Sequence, residues 1–264
     1  LEIIDFIILG LVQGLTEFLP VSSSGHLILA QHLLGMNPPG VAAEVMLHLA
    51  TLLSVLVVYG RDFLKLLRSR NWPYIGALAL ATVITVALAL PFKDRMESFA
   101  DSSAAVKYVG AFLLLTAILL LLAEQRARHL AGKAVASELQ SPGWGRAALT
   151  GVVQAIAVIP GISRSGSTIS AMLICGIGYE SAARFSFMLS VPVILGAAVL
   201  SIPDLQAGTA NGSLHVVPLL AGFAAAAVSG VLAIRFLLAI LRRQRLFMFS
   251  IYCAVVGILA LLFG

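Results

Sequence analysis

Two short groups of polar residues stand out in a chain that is otherwise mostly hydrocarbon. The first holds Gln13, Glu17, Ser22, Ser23, Ser24 and His26. Gln13 and Glu17 are spaced i, i+4 and share one face of a helix. A hydroxyl and an imidazole beside a carboxylate supply a nucleophile and a proton donor or acceptor. Glu17 could orient His26, activate a hydroxyl or water, or bind a divalent cation. The structural alternative is a buried, protonated Glu17, or one that serves as ion-pair partner of Arg164. The second group is PGISRSGST, Pro160 to Thr168. Gly, Ser and Arg in a tight turn before a helix make an anion site, because backbone N–H groups and the helix dipole face the ligand. Arg164 adds a planar fork suited to phosphate oxygens. The plainer reading, a Ser/Gly cap with Arg164 reaching outward, is disfavoured because an intramembrane Arg is costly without a partner.

The two groups are copies of one pattern. Shifted by 141 positions, Gly10–His26 falls on Gly151–Ser167, and six of seventeen positions are identical, among them Gln13/Gln154, Ser22/Ser163, Ser24/Ser165 and Gly25/Gly166. At a shift of 136, Glu44 meets Glu180 and LSVLV (53–57) meets LSVPV (189–193). The copies have diverged: one carries hydroxyls, imidazole and carboxylate, the other a cation and an anion nest. That asymmetry suits catalysis on a phosphate better than symmetric packing.

The surrounding chain has 264 residues, is 60% hydrophobic and only 11% charged, and has a mean hydropathy of +1.02. So little charge points to an all-α polytopic membrane protein, one membrane domain over residues 1–264. The apolar runs are continuous, not alternating, which excludes a closed β-barrel. The net charge of +5 does not imply nucleic acid, because the basic residues flank apolar spans. Cys175 and Cys253 sit in apolar segments and read as small core residues rather than a disulfide. No basic region precedes the first apolar run, so no cleavable signal peptide is expected.

The elements that must position the polar groups follow from run lengths. Residues 3–34 read as a re-entrant hairpin, since neither of its apolar runs reaches the roughly 20 residues needed to cross. The turn Pro20–Gly25 and the Pro38–Pro39 pair punctuate it. Irregular backbone at depth requires a cavity or protein around it. Spans are expected near 44–59, 73–90 and 104–123. A second hairpin, 144–178 with its turn at 160–166, precedes spans near 183–202, 216–240 and 247–263. A hairpin does not change sides and three spans do. The halves, 1–123 and 144–264, are therefore expected to form an inverted-topology repeat with the site near the midplane. Glu44 with His48, and Glu180 with Arg184, are i, i+4 pairs expected to tie each first span to its hairpin. His32, Asp5 and Tyr179 read as interfacial, and His129 and His215 as solvated.

Orientation comes from Lys and Arg. One face carries Arg61, Lys65, Arg68, Arg70, Arg126, Arg128, Lys133, Arg146, Arg242, Arg243 and Arg245; the other carries Lys93 and Arg95, with Lys107 just inside a span. The richer face is expected to be cytoplasmic. That puts the N-terminus and first hairpin on the outer, periplasmic side.

QGLTEFLPVSSSGH and PGISRSGST closely resemble the two signature motifs of the bacterial undecaprenyl-diphosphate phosphatases, the bacitracin-resistance family. The first motif is Glu or Gln, three residues, Glu, then a Pro/Ser/Gly/His turn, which Gln13 and Glu17 fit. The second is Pro-Gly-x-Ser-Arg-Ser-x-x-Thr, matched by Pro160, Gly161, Ser163, Arg164, Ser165 and Thr168. The resemblance extends over essentially the whole chain. It implies hydrolysis of undecaprenyl diphosphate to the monophosphate in the bacterial plasma membrane, recycling the carrier lipid for peptidoglycan, with a divalent cation requirement and bacitracin resistance.

With that reaction, the expected catalytic set is Glu17, Ser23, His26 and Arg164. Gln13, Ser22, Ser24, Gly161, Ser163, Ser165, Gly166 and Thr168 are expected to line the substrate. Ser23 or His26 attacks phosphorus or activates water, with Ser23 favoured and His26 its acid–base partner; Arg164, Ser163, Ser165 and Thr168 hold phosphate oxygens. Mg²⁺ or Ca²⁺ near Glu17 would offset diphosphate charge. The expected partners are the polyprenyl diphosphate and membrane lipids, with a homodimer left open. The alternative function is an inverted-repeat transporter or flippase of a lipid phosphate or other anion.

Overall fold

The structure is a computed structural model that describes residues 2–36, 40–92, 95, 98–99, 102, 104–130, 140–202 and 216–264. Pro38, Pro39, Lys93, Lys133 and His215 lie outside the described residues. Every regular element described is helical: α1 (Ile3–Phe18), α2 (Ser23–Leu34), α3 (Val41–Arg68), α4 (Trp72–Ala89, continued by a 3₁₀ turn Leu90–Phe92), α5 (Ala105–His129), α6 (Trp144–Ile156), α7 (Arg164–Ile174), α8 (Tyr179–Leu200), α9 (Val216–Arg242) and α10 (Phe247–Phe263).

Local chemistry sets the ends. Pro20 disfavours helical geometry at the residue before it, and Leu19 is extended at φ −66°, ψ 144°. The α2 helix stops at Gly35 in the left-handed conformation, whose N–H caps the carbonyls of Gln31 and His32. Asn71 caps α4 by accepting from the Tyr74 N–H, and Ser163 caps α7 by accepting from the Gly166 N–H.

Among the described residues five helices, α3, α4 with its 3₁₀ extension, α5, α8 and α9, are long and apolar enough to cross a membrane; α10 is apolar but has only 17 residues. The chain is a polytopic helical membrane protein. By contrast α1 and α2 have 16 and 12 residues, and α6 and α7 have 13 and 11. At about 1.5 Å per residue each of the four is shorter than the ~30 Å hydrocarbon core. The α3 helix runs well beyond the expected Tyr59, to Arg68, and carries Arg61, Asp62 and Lys65 on helical backbone.

Small residues decide which helices touch. Gly10 and Gly14 of α1 press on the backbone of α9 at Gly222 and Ala226, where any Cβ would collide. Gly151 of α6 does the same against Ala81 of α4, and Gly110 of α5 against Gly257 of α10. Close approach through glycine is how helices associate where lipid offers no hydrophobic drive. The first spans, α3 and α8, also pack together. Arg184 pairs with Asp62 at 3.4 Å and Arg242 with Glu180 at 3.3 Å. These pairs tie α8 to α3 and α9.

The two broken segments meet at the centre. The Gly161 N–H donates to Ser22 Oγ at 3.0 Å, and Ser165 Oγ donates to the Leu19 carbonyl at 2.9 Å. Thr116 of α5 braces the second turn, accepting from the Ser163 N–H at 3.2 Å and donating to the Gly161 carbonyl at 3.0 Å. Gly161 takes φ +97° with its Cα against Val109 and Phe112, a place only glycine fills without strain. The free Cys253 thiol leans on the Pro20 carbonyl, and Cys175 is also free.

Candidate functional site

Glu17, on the last turn of α1, is the hub. It is 5% exposed. Its Oε2 accepts from Ser23 Oγ at 2.5 Å and from Gln13 Nε2 at 3.0 Å, and its Oε1 accepts from Arg164 Nη2 at 2.6 Å. So one carboxylate joins α1, α2 and α7, and it brings Gln13, Ser23 and Arg164 together from the two motifs. Of the two structural alternatives for Glu17, the ion pair with Arg164 is present, and a serine hydroxyl shares the same carboxylate.

Ser23 reaches Glu17 because Ser22 turns sharply before it. Ser22 has φ 69°, a left-handed value that costs a non-glycine residue about 1–3 kcal/mol. Four bonds hold it there. Its Oγ accepts from the N–H groups of Gly161 and Gly25, and its carbonyl accepts from the His26 backbone N–H at 3.1 Å and from His26 Nδ1 at 2.8 Å. A strained turn that aims a serine from the start of a helix is the logic of a nucleophile elbow.

His26 has a different place from the one expected. With Nδ1–H donating to the Ser22 carbonyl, Nε2 accepts from the Tyr252 hydroxyl at 2.8 Å, and the two rings stack with centroids 5.6 Å apart. Both nitrogens are engaged, so His26 does not pair with Ser23 or Glu17. It holds the carbonyl of the strained turn. His26→Ala is therefore expected to lower kcat by about 10- to 100-fold through misplacement of Ser23, with KM little changed. His26→Asn, which can still donate to the Ser22 carbonyl, should recover part of the loss. Equal loss in both variants, with a shifted pH profile, would instead mark the imidazole as a proton carrier.

The expected anion nest is also rearranged. Arg164 faces a cavity of about 320 Å³ that Glu17, Ser23 and Ser24 also line. Ser163, Ser165 and Thr168 do not reach it. Ser163 Oγ caps α7, Ser165 Oγ bonds the Leu19 carbonyl, and Thr168 Oγ1 bonds the Arg164 carbonyl and Ser186 Oγ at 2.6 Å. Gly161 and Gly166 are occupied with turn-to-turn packing, and Ser22 with the turn itself. Three hydroxyls that would fit a phosphate by type are thus used to fix the backbone that presents Arg164. The guanidinium itself has spare capacity: Nη1 is buried and has no hydrogen-bond partner. Gln13 Oε1 is buried without a partner as well.

His48 is the residue the sequence reading left outside the site. Its Nε2 stands 3.9 Å from Glu17 Oε2, its Nδ1 donates to the Glu44 carbonyl at 2.9 Å, and both Glu44 and His48 line the cavity. The signal was available: an ionisable pair inside an apolar span is a site candidate by default.

This assembly of an acid, a nucleophile-capable hydroxyl and a cation occupies a chain whose residues 6–259 match the family model described as Bacitracin resistance protein BacA. The chain belongs to this family. Its curated relatives extend over the whole length. It is 41% identical to the undecaprenyl-diphosphatase of Halothermothrix orenii over 266 residues, 99% of this chain and 98% of that one. It is 40% identical to that of Carboxydothermus hydrogenoformans over 254 residues, 96% and 94% of the two chains. It is 37% identical to undecaprenyl-diphosphatase 1 of Shouchella clausii over 276 residues, 100% and 97% of the two. Family membership therefore covers both turns and all the helices that hold Glu17, Ser23 and Arg164 in contact.

Proposed function

We propose that the Glu17–Ser23–Arg164 cluster hydrolyses the terminal phosphate of undecaprenyl diphosphate, giving undecaprenyl phosphate and inorganic phosphate. The chain is a membrane phosphatase of this substrate, by family and by full-length similarity to named undecaprenyl-diphosphatases. The bacterial plasma membrane is its place of action, and bacitracin resistance its expected phenotype. The observation that carries the chemistry is the partnerless, buried Nη1 of Arg164 beside a serine hydroxyl bonded to a carboxylate.

The steps follow from those contacts. Ser23 Oγ attacks the terminal phosphorus as its proton passes to Glu17 Oε2. The bond from phosphorus to the bridging oxygen breaks, and the electron pair leaves with undecaprenyl phosphate. Arg164 neutralises charge gathering on the phosphoryl oxygens. Water then attacks the phosphoserine, the bond from phosphorus to Ser23 Oγ breaks as Glu17 Oε2 returns its proton to that oxygen, and the water's protons leave with inorganic phosphate. His26 and Ser22 fix the turn, and Ser24 lines the approach.

The oxygen donors here fit a divalent cation, Mg²⁺ or Ca²⁺, only as a shared site. Among the described residues no group of three or more His, Cys, Asp or Glu could hold a metal alone. Glu17 and the unpartnered Gln13 Oε1 are the oxygens that would hold it, with substrate phosphates completing the shell, as is common for Mg²⁺. Bound there, the ion would offset diphosphate charge.

The architecture we infer is an inverted-topology repeat, 1–123 and 144–264, with α1–α2 and α6–α7 as re-entrant hairpins. Their short helices support this. So do the matched packings: α1 lies on α9, the second span of the other half, and α6 lies on α4, its counterpart. The excess of Arg and Lys at one end supports an outer-facing N-terminus and first hairpin. Glu17, Ser23 and Arg164 all come from one chain, so the chemistry does not call for a homodimer.

Phosphate release by the purified protein in detergent, where transport is impossible, tests the reading against a carrier. Ser23→Ala is expected to cut release by about 10⁴-fold or more, and acid quenching of the wild type should trap phosphate on Ser23. Full turnover by Ser23→Ala with no trapped phosphate would hand the attack to water.

A further inference from the structure

A second cavity of about 750 Å³ adjoins the polar one and shares Ser24, Glu44, His48, Val158 and Ala197 with it. Its walls include Leu27 and Ile28 of α2, Ala89 and Leu90 at the end of α4, and Val193, Leu195, Gly196 and Val199 of α8. Thr85 lies in it, but its hydroxyl is occupied by the carbonyls of Ala81 and Gly151 and by Gln154 Nε2. The apolar rim residues Leu90, Leu195 and Val199 are 49%, 46% and 64% exposed, toward the ends of two helices long and apolar enough to cross a membrane. The groove thus leads from this apolar rim to the cavity of Glu17 and Arg164 with apolar walls throughout most of its length.

Gly196 lies on this wall. Gly10, Gly14, Gly151 and Gly222 each press on a neighbouring backbone, whereas a Cβ at Gly196 would meet nothing within 4 Å. A glycine inside a helix is unfavourable relative to alanine, and here no close helix contact accounts for it. What it leaves is open groove.

Resting on the phosphatase reading, we infer that this groove between α2, α4 and α8 holds the isoprene units nearest the diphosphate, and that Gly196 is a specificity-determining position that keeps their path clear. The occupant is a branched hydrocarbon chain joined to an anionic head. The head belongs at Arg164 and the chain passes over Gly196 to the rim. Units beyond the rim lie in bilayer whether the substrate is bound or free, so they add nothing to discrimination. Catalytic efficiency should therefore rise over the first few isoprene units and then level off.

The test is a series, Gly196→Ala, Gly196→Leu and Gly196→Trp, in the full chain in detergent. Each is assayed on undecaprenyl diphosphate, farnesyl diphosphate and a tailless probe, methyl diphosphate. The ratio of kcat/KM for the prenyl substrates to that for the probe should fall with side-chain volume, by about tenfold or more for Gly196→Trp. A photoreactive prenyl monophosphate should label Leu27 or Val193 in the wild type and lose that labelling in Gly196→Trp. A constant ratio across the series with unchanged labelling overturns the groove. Labelling that is lost to added phospholipid but not to farnesyl phosphate would assign the groove to acyl chains and overturn it too. If no prenyl diphosphate is turned over, the phosphatase reading fails, and the labelling still decides the groove. A Gly196→Trp chain that does not fold leaves the decision to Gly196→Leu.

Discussion

Glu17→Gln is expected to reduce phosphate release about a thousandfold while leaving the protein folded. The amide keeps the volume of the carboxylate: its oxygen can still accept from Arg164, which stands 2.6 Å from Oε1, while its NH2 takes the place of Oε2 and donates to a Ser23 hydroxyl turned to accept. What it cannot do is take the serine proton, and acid–base steps of this kind contribute about 10²–10⁴-fold. Glu17→Ala should lose activity and stability together. It strips Arg164 of its partner in a site where the arginine side chain is 17% exposed, and breaking a buried pair costs about 3–5 kcal/mol. The measurement is phosphate release beside thermal unfolding in the same detergent. Turnover by Glu17→Gln within tenfold of wild type would remove Glu17 from the proton path and leave it as a strut.

Arg164→Lys is expected to be nearly as damaging as Arg164→Ala, with turnover down about 10²–10³-fold. The guanidinium combines two features: Nη2 engages Glu17, and Nη1 is buried with no hydrogen-bond partner. A lysine ammonium is a point charge that can serve one of those roles, not both in the same geometry. Pairing Arg164→Met with Glu17→Leu separates structure from chemistry. The double variant removes both charges, so its unfolding temperature should exceed that of Glu17→Ala, while phosphate release stays absent. Robust release by Arg164→Lys would mean that charge alone suffices and that the planar fork has no part in holding the phosphoryl group.

Much of this was legible in the sequence because the membrane makes polar residues expensive. Gln13, Glu17 and Arg164 had to face something other than lipid, and Pro20 and the glycines of the second turn fixed where the helices break. Residue types could not say which way a hydroxyl points. Ser163, Ser165 and Thr168 look like phosphate ligands by spacing, yet each closes a backbone bond of the turns. His26 looked like a base because it follows three serines, but its Nε2 partner, Tyr252, arrives from 226 residues away. His48 escaped for a related reason: it stands three turns of helix or more from any motif, and only the packing of α3 beside α1 brings it to Glu17. Helix ends were blurred where hydropathy falls before hydrogen bonding does. The backbone of α3 continues through Arg61, Asp62 and Lys65 to Arg68.

The two turns at the centre are bonded to each other rather than merely adjacent. A carrier that rocked one half against the other would have to part Ser22 from Gly161 and Ser165 from Leu19 in each cycle. Ser22 and Ser165 are both buried, and each such bond left unmade would cost about 1–3 kcal/mol. The molecule is thus riveted at the point where a rocker switch needs its pivot to slip. Lipid must come to the reacting groups, and the reacting groups stay where they are.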